Sequence, residues 1–153
     1  MNASPNKVIK ALDESFEQAQ KSQYKLAQHH FLYSETYISL TYPDKALAHA
    51  ELALTAVDKI TQAWLYHKIL VAKVIALDYS GKPQQALPLV HQVINWASQN
   101  EDRWLTVEAL SARGYLYIAM SLSVKALNDF QKAYEMVPEQ GGEINKGDIA
   151  IDI

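Results

Sequence analysis

Cysteine is absent from the 153 residues, which excludes disulfides, thiolate chemistry and Cys-ligated zinc. Glycine and proline are scarce, at five of each; so little turn material is expected of long helices with short connections. No stretch approaches the roughly 18 apolar residues of a membrane span. The polar, charged opening from Met1 to Gln20 does not read as a signal peptide. A basic stripe is missing as well: 14 Lys and Arg against 17 Asp and Glu give a net charge of −3, which argues against a nucleic-acid surface. Cytoplasm is therefore the default compartment, although a piece of a longer, membrane-anchored or periplasmic protein would show none of its parent's targeting signals. What remains is an ordinary folded composition, 49% hydrophobic and 20% charged, long enough to enclose one real core.

Catalytic patterns are also missing. His29 and His30 are adjacent, so on a helix they point about 100° apart and do not share a metal. His49, His67 and His91 have no partner at metal-ligand spacing, and no His-Glu-x2-His occurs. His30 falls where helices pack, which makes it a core histidine rather than a ligand. Asp13-Glu14 and Glu101-Asp102 read as solvated charge on polar faces. Gly141-Gly142 lacks the strand–loop–helix context of a phosphate loop. The expectation is a non-enzyme with no metal and no cofactor.

What is present is helical periodicity. Ser4-Pro5 reads as an N-cap with proline at the first helical position, and Val8, Ile9, Leu12, Phe16 and Ala19 then share one face. Further helices are expected over Gln23–Leu40, Asp44–Val57, Thr61–Tyr79, Pro83–Ser98, Arg103–Met120 and Leu122–Val137. Tyr42-Pro43-Asp44, Ser80-Gly81-Lys82-Pro83 and Gln99-Asn100-Glu101-Asp102 interrupt them. Pro88 removes one backbone bond inside the fifth helix, where a slight bend is expected.

The helices repeat. Lys45-Ala46-Leu47, Gln85-Ala86-Leu87 and Lys125-Ala126-Leu127 recur at a 40-residue step. The same step aligns Tyr37, Leu77 and Tyr117, then Ser34, Val74 and Gly114, then Ala53, Val93 and Ala133. Ala50 and Val90 stand where the last repeat has Phe130. Within that last repeat Gly114, Tyr117, Ala126, Phe130, Ala133 and Pro138 occur at the spacing of two helices in close contact. Gly114 and Ala126 allow the backbones to approach, and Tyr117 and Phe130 fill the space beside them. This series resembles the tetratricopeptide repeat (TPR) family. It departs from the family pattern at Arg113, where Leu is usual, and at Leu110, where Trp is usual. The period exceeds the usual 34, as in the stretched repeats of several bacterial signalling proteins.

The resemblance implies an all-α fold, a TPR-like right-handed α-solenoid of antiparallel helix pairs. It would form a single domain over 1–138, with an N-terminal helix at 5–20 and repeats at about 22–58, 62–98 and 102–138. The N-terminal helix is either a capping helix or the second half of an earlier repeat, because Lys10-Ala11-Leu12 echoes the repeat signature. Residues 139–153 would be a linker and the start of a truncated fourth repeat from Gly147, with Asp148 as a cap and Ile149 and Ile153 on one face; a disordered tail is the alternative.

In the TPR family the first helix of each repeat lines a concave groove. By resemblance, that groove comprises Gln28, Phe31, Glu35 and Ile38, then Lys68, Val71, Ile75 and Asp78, then Glu108, Ser111, Tyr115 and Ile118. The clamp that chaperone-binding relatives use for a terminal carboxylate is not matched, since Phe31, Glu35, Ala72, Glu108 and Ala112 occupy its positions. The implied role is protein or peptide binding in the groove, as the sensory or scaffold part of a bacterial signalling protein joined to an output domain such as a diguanylate cyclase or transcription regulator. A homodimer through an uncapped last repeat is also implied. The alternative is a structural spacer or dimerisation segment with no ligand of its own, its groove occupied by its own chain.

Overall fold

A computed structural model describes residues 4–137. The described residues form α1 (Pro5–Ala19), α2 (Gln23–Ser39), α3 (Pro43–Ala56), α4 (Ala63–Tyr79), α5 (Pro83–Gln99), α6 (Arg103–Ala119) and α7 (Ser123–Met136), with no strand among them. The fold is all-α. No helix among these residues is long and apolar enough to cross a membrane. The expected fourth-repeat helix lies outside the described residues.

Three of the helix starts use proline, at Pro5, Pro43 and Pro83, where the missing N–H costs nothing. Ser4 precedes the first of them, but its side chain makes no cap hydrogen bond. Its carbonyl instead accepts from the amides of Lys7 and Val8 at 2.8 and 3.1 Å. Side-chain caps occur at Ser22, which accepts from the Lys25 amide, and at Asp102, which accepts from the Leu105 amide at 2.9 Å. Pro88 is accommodated inside α5, which continues past it to Gln99.

The helix ends carry the repeat in their backbone. Thr41, Gly81 and Ser121 stand one 40-residue step apart and all adopt left-handed φ, at 60°, 71° and 61°; Glu101, off that step at the end of α5, does so too, at 55°. After α2 the Thr41 amide donates to the Ile38 carbonyl and the Tyr42 amide to the Tyr37 carbonyl. After α6 the Ser121 amide donates to Ile118 and the Leu122 amide to Tyr117. Both are the paired closure that satisfies the last carbonyls of a helix and needs a left-handed residue at its centre. Only one of the three positions is glycine; Thr41 and Ser121 hold that backbone at a cost of about 1 kcal/mol each.

The chain divides into two compact units, Met1–Ser80 and Gly81–Ile153. The division falls inside the second expected repeat. In the first unit α2 packs on α1, α3 and α4, and α3 packs on α4. Ala27, Ala53, Val57, Leu65 and Ile69 form a core from α2, the end of α3 and α4, with Phe31, Leu54, Ala56 and Tyr66 packed against it. In the second unit α6 packs on α5 and α7, and Val107, Leu110, Ala133 and Val137 form the core, bordered by Ile94, Trp104 and Met136.

The α2–α3 and α6–α7 pairs meet at the same repeat positions through different side chains. Ala46 and Ala126 are 0% and 2% exposed. In the first pair the Ser34 hydroxyl donates to the Ala46 carbonyl at 2.8 Å, and Ala50 is fully buried beside it. In the second, Gly114 has no side chain, and a Cβ there would lie 2.7 Å from Phe130 Cε1. The ring thus occupies the volume that a side chain at 114 would need. A small residue on one helix is matched by a bulky one on the other, or two small residues share the space. Gly114→Ala should therefore cost about 1–3 kcal/mol by overpacking. Phe130→Ala alone should cost about 3–5 kcal/mol. The two combined should fall short of the sum by at least about 0.5 kcal/mol, because one change relieves the other. Urea unfolding measures all three; strictly additive costs would mean that the two positions do not press on one another.

Candidate functional site

The expected groove positions divide between the two units. In the first unit α2 carries Gln28, Phe31 and Ile38 half-buried and Glu35 exposed. Phe31 packs against the core of Ala27, Val57 and Ile69, so much of its ring is already spent on folding. On α4, Lys68 lies over the Trp64 ring at 5.9 Å, while Ile75 and Asp78 are half-buried. Burial raises the Asp78 carboxyl above its ordinary value. Val71 is the exception: at 1% exposure it offers no surface to a ligand, contrary to its expected place in an open groove. The reason is that α4 is covered on more than one side, with buried residues at consecutive positions from Ile69 to Ala72.

In the second unit α6 carries all four of its expected positions. Glu108 and Ser111 are half-buried, and the Ser111 hydroxyl donates back to the Val107 carbonyl at 2.9 Å. Tyr115 is 38% exposed and Ile118 45%. The Tyr115 ring stands edge-on to Phe130, centroids 5.1 Å apart, so it is both braced and partly exposed.

A polar cluster in the first unit escaped sequence reading. His30 on α2 and His49 on α3 face each other, Nδ1 to Nδ1 at 3.0 Å. One ring donates and the other accepts, so the pair holds one proton between its facing nitrogens. Tyr33 stacks on His49 at 4.5 Å between centroids, and Tyr37 stacks on it from 5.5 Å. The Tyr33 hydroxyl donates to Asp13 of α1 at 2.6 Å. His29 and Ser15 are within hydrogen-bond distance at 2.9 Å, and Lys45 lies over the Tyr37 ring at 5.3 Å. His30 is only 7% exposed, as expected of a histidine where helices pack. No group of three or more metal-ligating side chains occurs among the described residues. The signal that would have found the pair is the repeat register rather than local spacing.

That register also explains Arg113. Tyr33 and His49 stand two repeat steps before Arg113 and Asp129, which make a side-on bidentate pair: Nε to Oδ2 and Nη2 to Oδ1, both 2.7 Å. Asp129 is 3% exposed, and its hydrogen bonds raise the Arg113 guanidinium above its usual value. Arg113 also lies over Tyr117, as does Lys125, at 5.7 and 5.6 Å. The departure from the TPR pattern at Arg113 is therefore matched across the helix contact. Arg113→Leu should cost about 3–5 kcal/mol, since it leaves a buried carboxylate unpaired. Adding Asp129→Leu should recover most of that loss. Thermal or urea unfolding decides; a single variant as stable as the parent would remove the pair from the energetics of the second unit.

Comparison with protein-family models, with curated proteins and with solved structures finds no match to this chain.

The histidine pair carries a pH dependence. Burial lowers both imidazoles below their ordinary value; the charge of His29 adds to this at His30, and at His49 that of His30 adds while Asp13 opposes. Burial also lowers His67 of α4. The unfolded chain takes up protons near pH 6.5 and the folded chain only below it. Their contribution is thus complete above about pH 6.5 and is lost as pH falls below that value. Urea midpoints should fall between pH 7.5 and 5.5. His49→Phe, which keeps a ring against Tyr33, should flatten that slope; an unchanged slope would locate the dependence elsewhere.

Proposed function

We propose that the chain is a TPR-like interaction module, a right-handed solenoid of antiparallel helix pairs whose first helices present a peptide-binding face. One observation carries the reading: left-handed backbone at Thr41, Gly81 and Ser121 recurs at a 40-residue step, and two such steps separate the close contact of Ser34 with Ala46 from that of Gly114 with Phe130. A repeat expressed in both backbone and packing supports the resemblance drawn from the motifs. On α6, Tyr115 and Ile118 then supply exposed apolar anchors, and Glu108 an acidic character. An extended or helical peptide with apolar side chains and some positive charge suits such a face. No cofactor enters this reading.

The spacer reading is favoured by two observations, the burial of Val71 and the packing of Phe31 into the core. Together they move the expected recognition surface away from Phe31 and the middle of α4 and toward Tyr115 and Ile118 of the second unit.

Selection from a displayed library of random peptides, followed by titration of the recovered peptide, separates the two. A binding module should yield peptides with apolar and basic positions. Tyr115→Ala should weaken them by about tenfold or more while leaving the circular dichroism unchanged and lowering stability by only about 1 kcal/mol, the worth of its edge contact with Phe130. Recovery of no peptide, or of peptides indifferent to Tyr115 and Ile118, would favour the spacer.

A further inference from the structure

α1 buries the fewest side chains of the helices in the first unit: of its fifteen residues only Leu12 and Ala19 are buried. It packs chiefly on α2. A helix that buries so little opens at a lower free energy than the core beneath it. Its remaining contacts converge on the polar cluster of α2 and α3. The Phe16 ring stands edge-on to His30, centroids 5.7 Å apart. Asp13 accepts from the Tyr33 hydroxyl, and Tyr33 stacks on His49.

The histidine pair can carry a charge only where water reaches it. Its rings point at each other almost head-on, with centroids 5.2 Å and facing nitrogens 3.0 Å apart. A proton already lies between those nitrogens, so an added one goes to an outer Nε2 and leaves the bridge in place. The charged pair thus stays joined across α2 and α3, but burial without water penalises it. Phe16 of α1 lies against His30 and keeps water from that side. The groups around the pair do not replace that water. The Ser15 hydroxyl donates to the Ala11 carbonyl at 2.8 Å, so it accepts from His29, a contact that protonation of His29 leaves intact. Tyr33 keeps its proton, since burial and Asp13 hold the hydroxyl above its ordinary value. Lys45 of α3 lies over the Tyr37 ring, and Lys73 of α4 is held by Glu51 of α3 at 2.7 Å. Asp13 attracts a charge on the pair, but it is exposed to solvent, and at His49 burial outweighs it.

We propose that α1 is an acid-released cap on the first unit: protonation of the His30–His49 pair detaches α1 from α2, while α2 and α3 stay paired through Ser34, Ala46 and Ala50. Release uncovers the His30 and Tyr33 side of α2 together with the apolar face of α1 itself, Val8, Leu12 and Phe16. Docked, His30 lies below its ordinary value; undocked, it returns toward about 6.5. Docking is therefore complete above about pH 6.5 and is lost as pH falls below that value. The face on α6 takes no part in this.

Native-state hydrogen exchange of the intact chain, corrected for the intrinsic rate and read by mass spectrometry on α1 and α3, tests the proposal. Between pH 7.5 and 5.5 the protection of α1 should fall severalfold, up to about tenfold for each histidine returned to its ordinary value. Low urea should leave that exchange nearly unchanged, as a local opening requires, while accelerating exchange in α3. His30→Asn, whose amide stands in for Nδ1 without titrating, should remove most of the pH response. Asp13→Asn keeps an acceptor for Tyr33 and removes the opposing charge, so the response should steepen. A loss of α1 protection in Asp13→Asn that is equal at both pH values would mean a merely structural contact and overturns the proposal. So does α1 protection indifferent to pH, a response unchanged in His30→Asn, or exchange in α1 that urea accelerates as steeply as in α3.

Discussion

Close approach of paired helices is the constraint on which the rest depends. Helix backbones come together only where side-chain volume is nearly absent, and this chain meets that condition with Ala46 against Ser34 in one pair and with Gly114 under the Phe130 ring in the other. Everything beside the contact then has to be filled without reopening it. In the second unit the Phe130 ring takes the space left by Gly114, and Tyr115 braces it from the edge. In the first, Ala50 leaves room for the Ser34 hydroxyl to reach a backbone carbonyl. The volumes trade across the interface because packing density, rather than residue identity, is what the core preserves.

Next to that contact the chain places polar pairs, and their chemistry differs between the units while their position does not. Tyr33 against His49 is an aromatic stack extended by a histidine pair and anchored to α1 through Asp13. Arg113 against Asp129 is a buried, bidentate ion pair. Both satisfy the polar groups that they bury, and no buried side-chain polar atom among the described residues lacks a hydrogen-bond partner. Such pairs add less net stability than apolar packing of equal volume, but a mismatched partner is costly. They therefore oppose pairing of one repeat's first helix with another repeat's second.

Helix boundaries were legible from local chemistry. Proline at helix starts, the Ser80-Gly81 break and the Gln99–Asp102 joint act within a few residues, so the helices from α1 to α7 lie close to where the sequence places them. The 40-residue step was legible too, because a repeated contact needs a repeated small residue. The candidate groove was legible only as a set of positions on first helices. Whether each is open depends on what lies across from it, which is why Val71 is closed and Tyr115 is not.

By itself, then, the sequence determined the helical class, the segment lengths and the spacing of the repeat. Each follows from dihedral preferences and side-chain volume along one helix or one turn. The tertiary structure decided which side chains face one another: His30 with His49, Arg113 with Asp129, Glu51 with Lys73. These partners lie 16 to 22 residues apart on neighbouring helices, beyond the reach of i, i+3 and i, i+4 contacts. Their pairing is set by how two helices turn their faces when they pack, which no local pattern encodes.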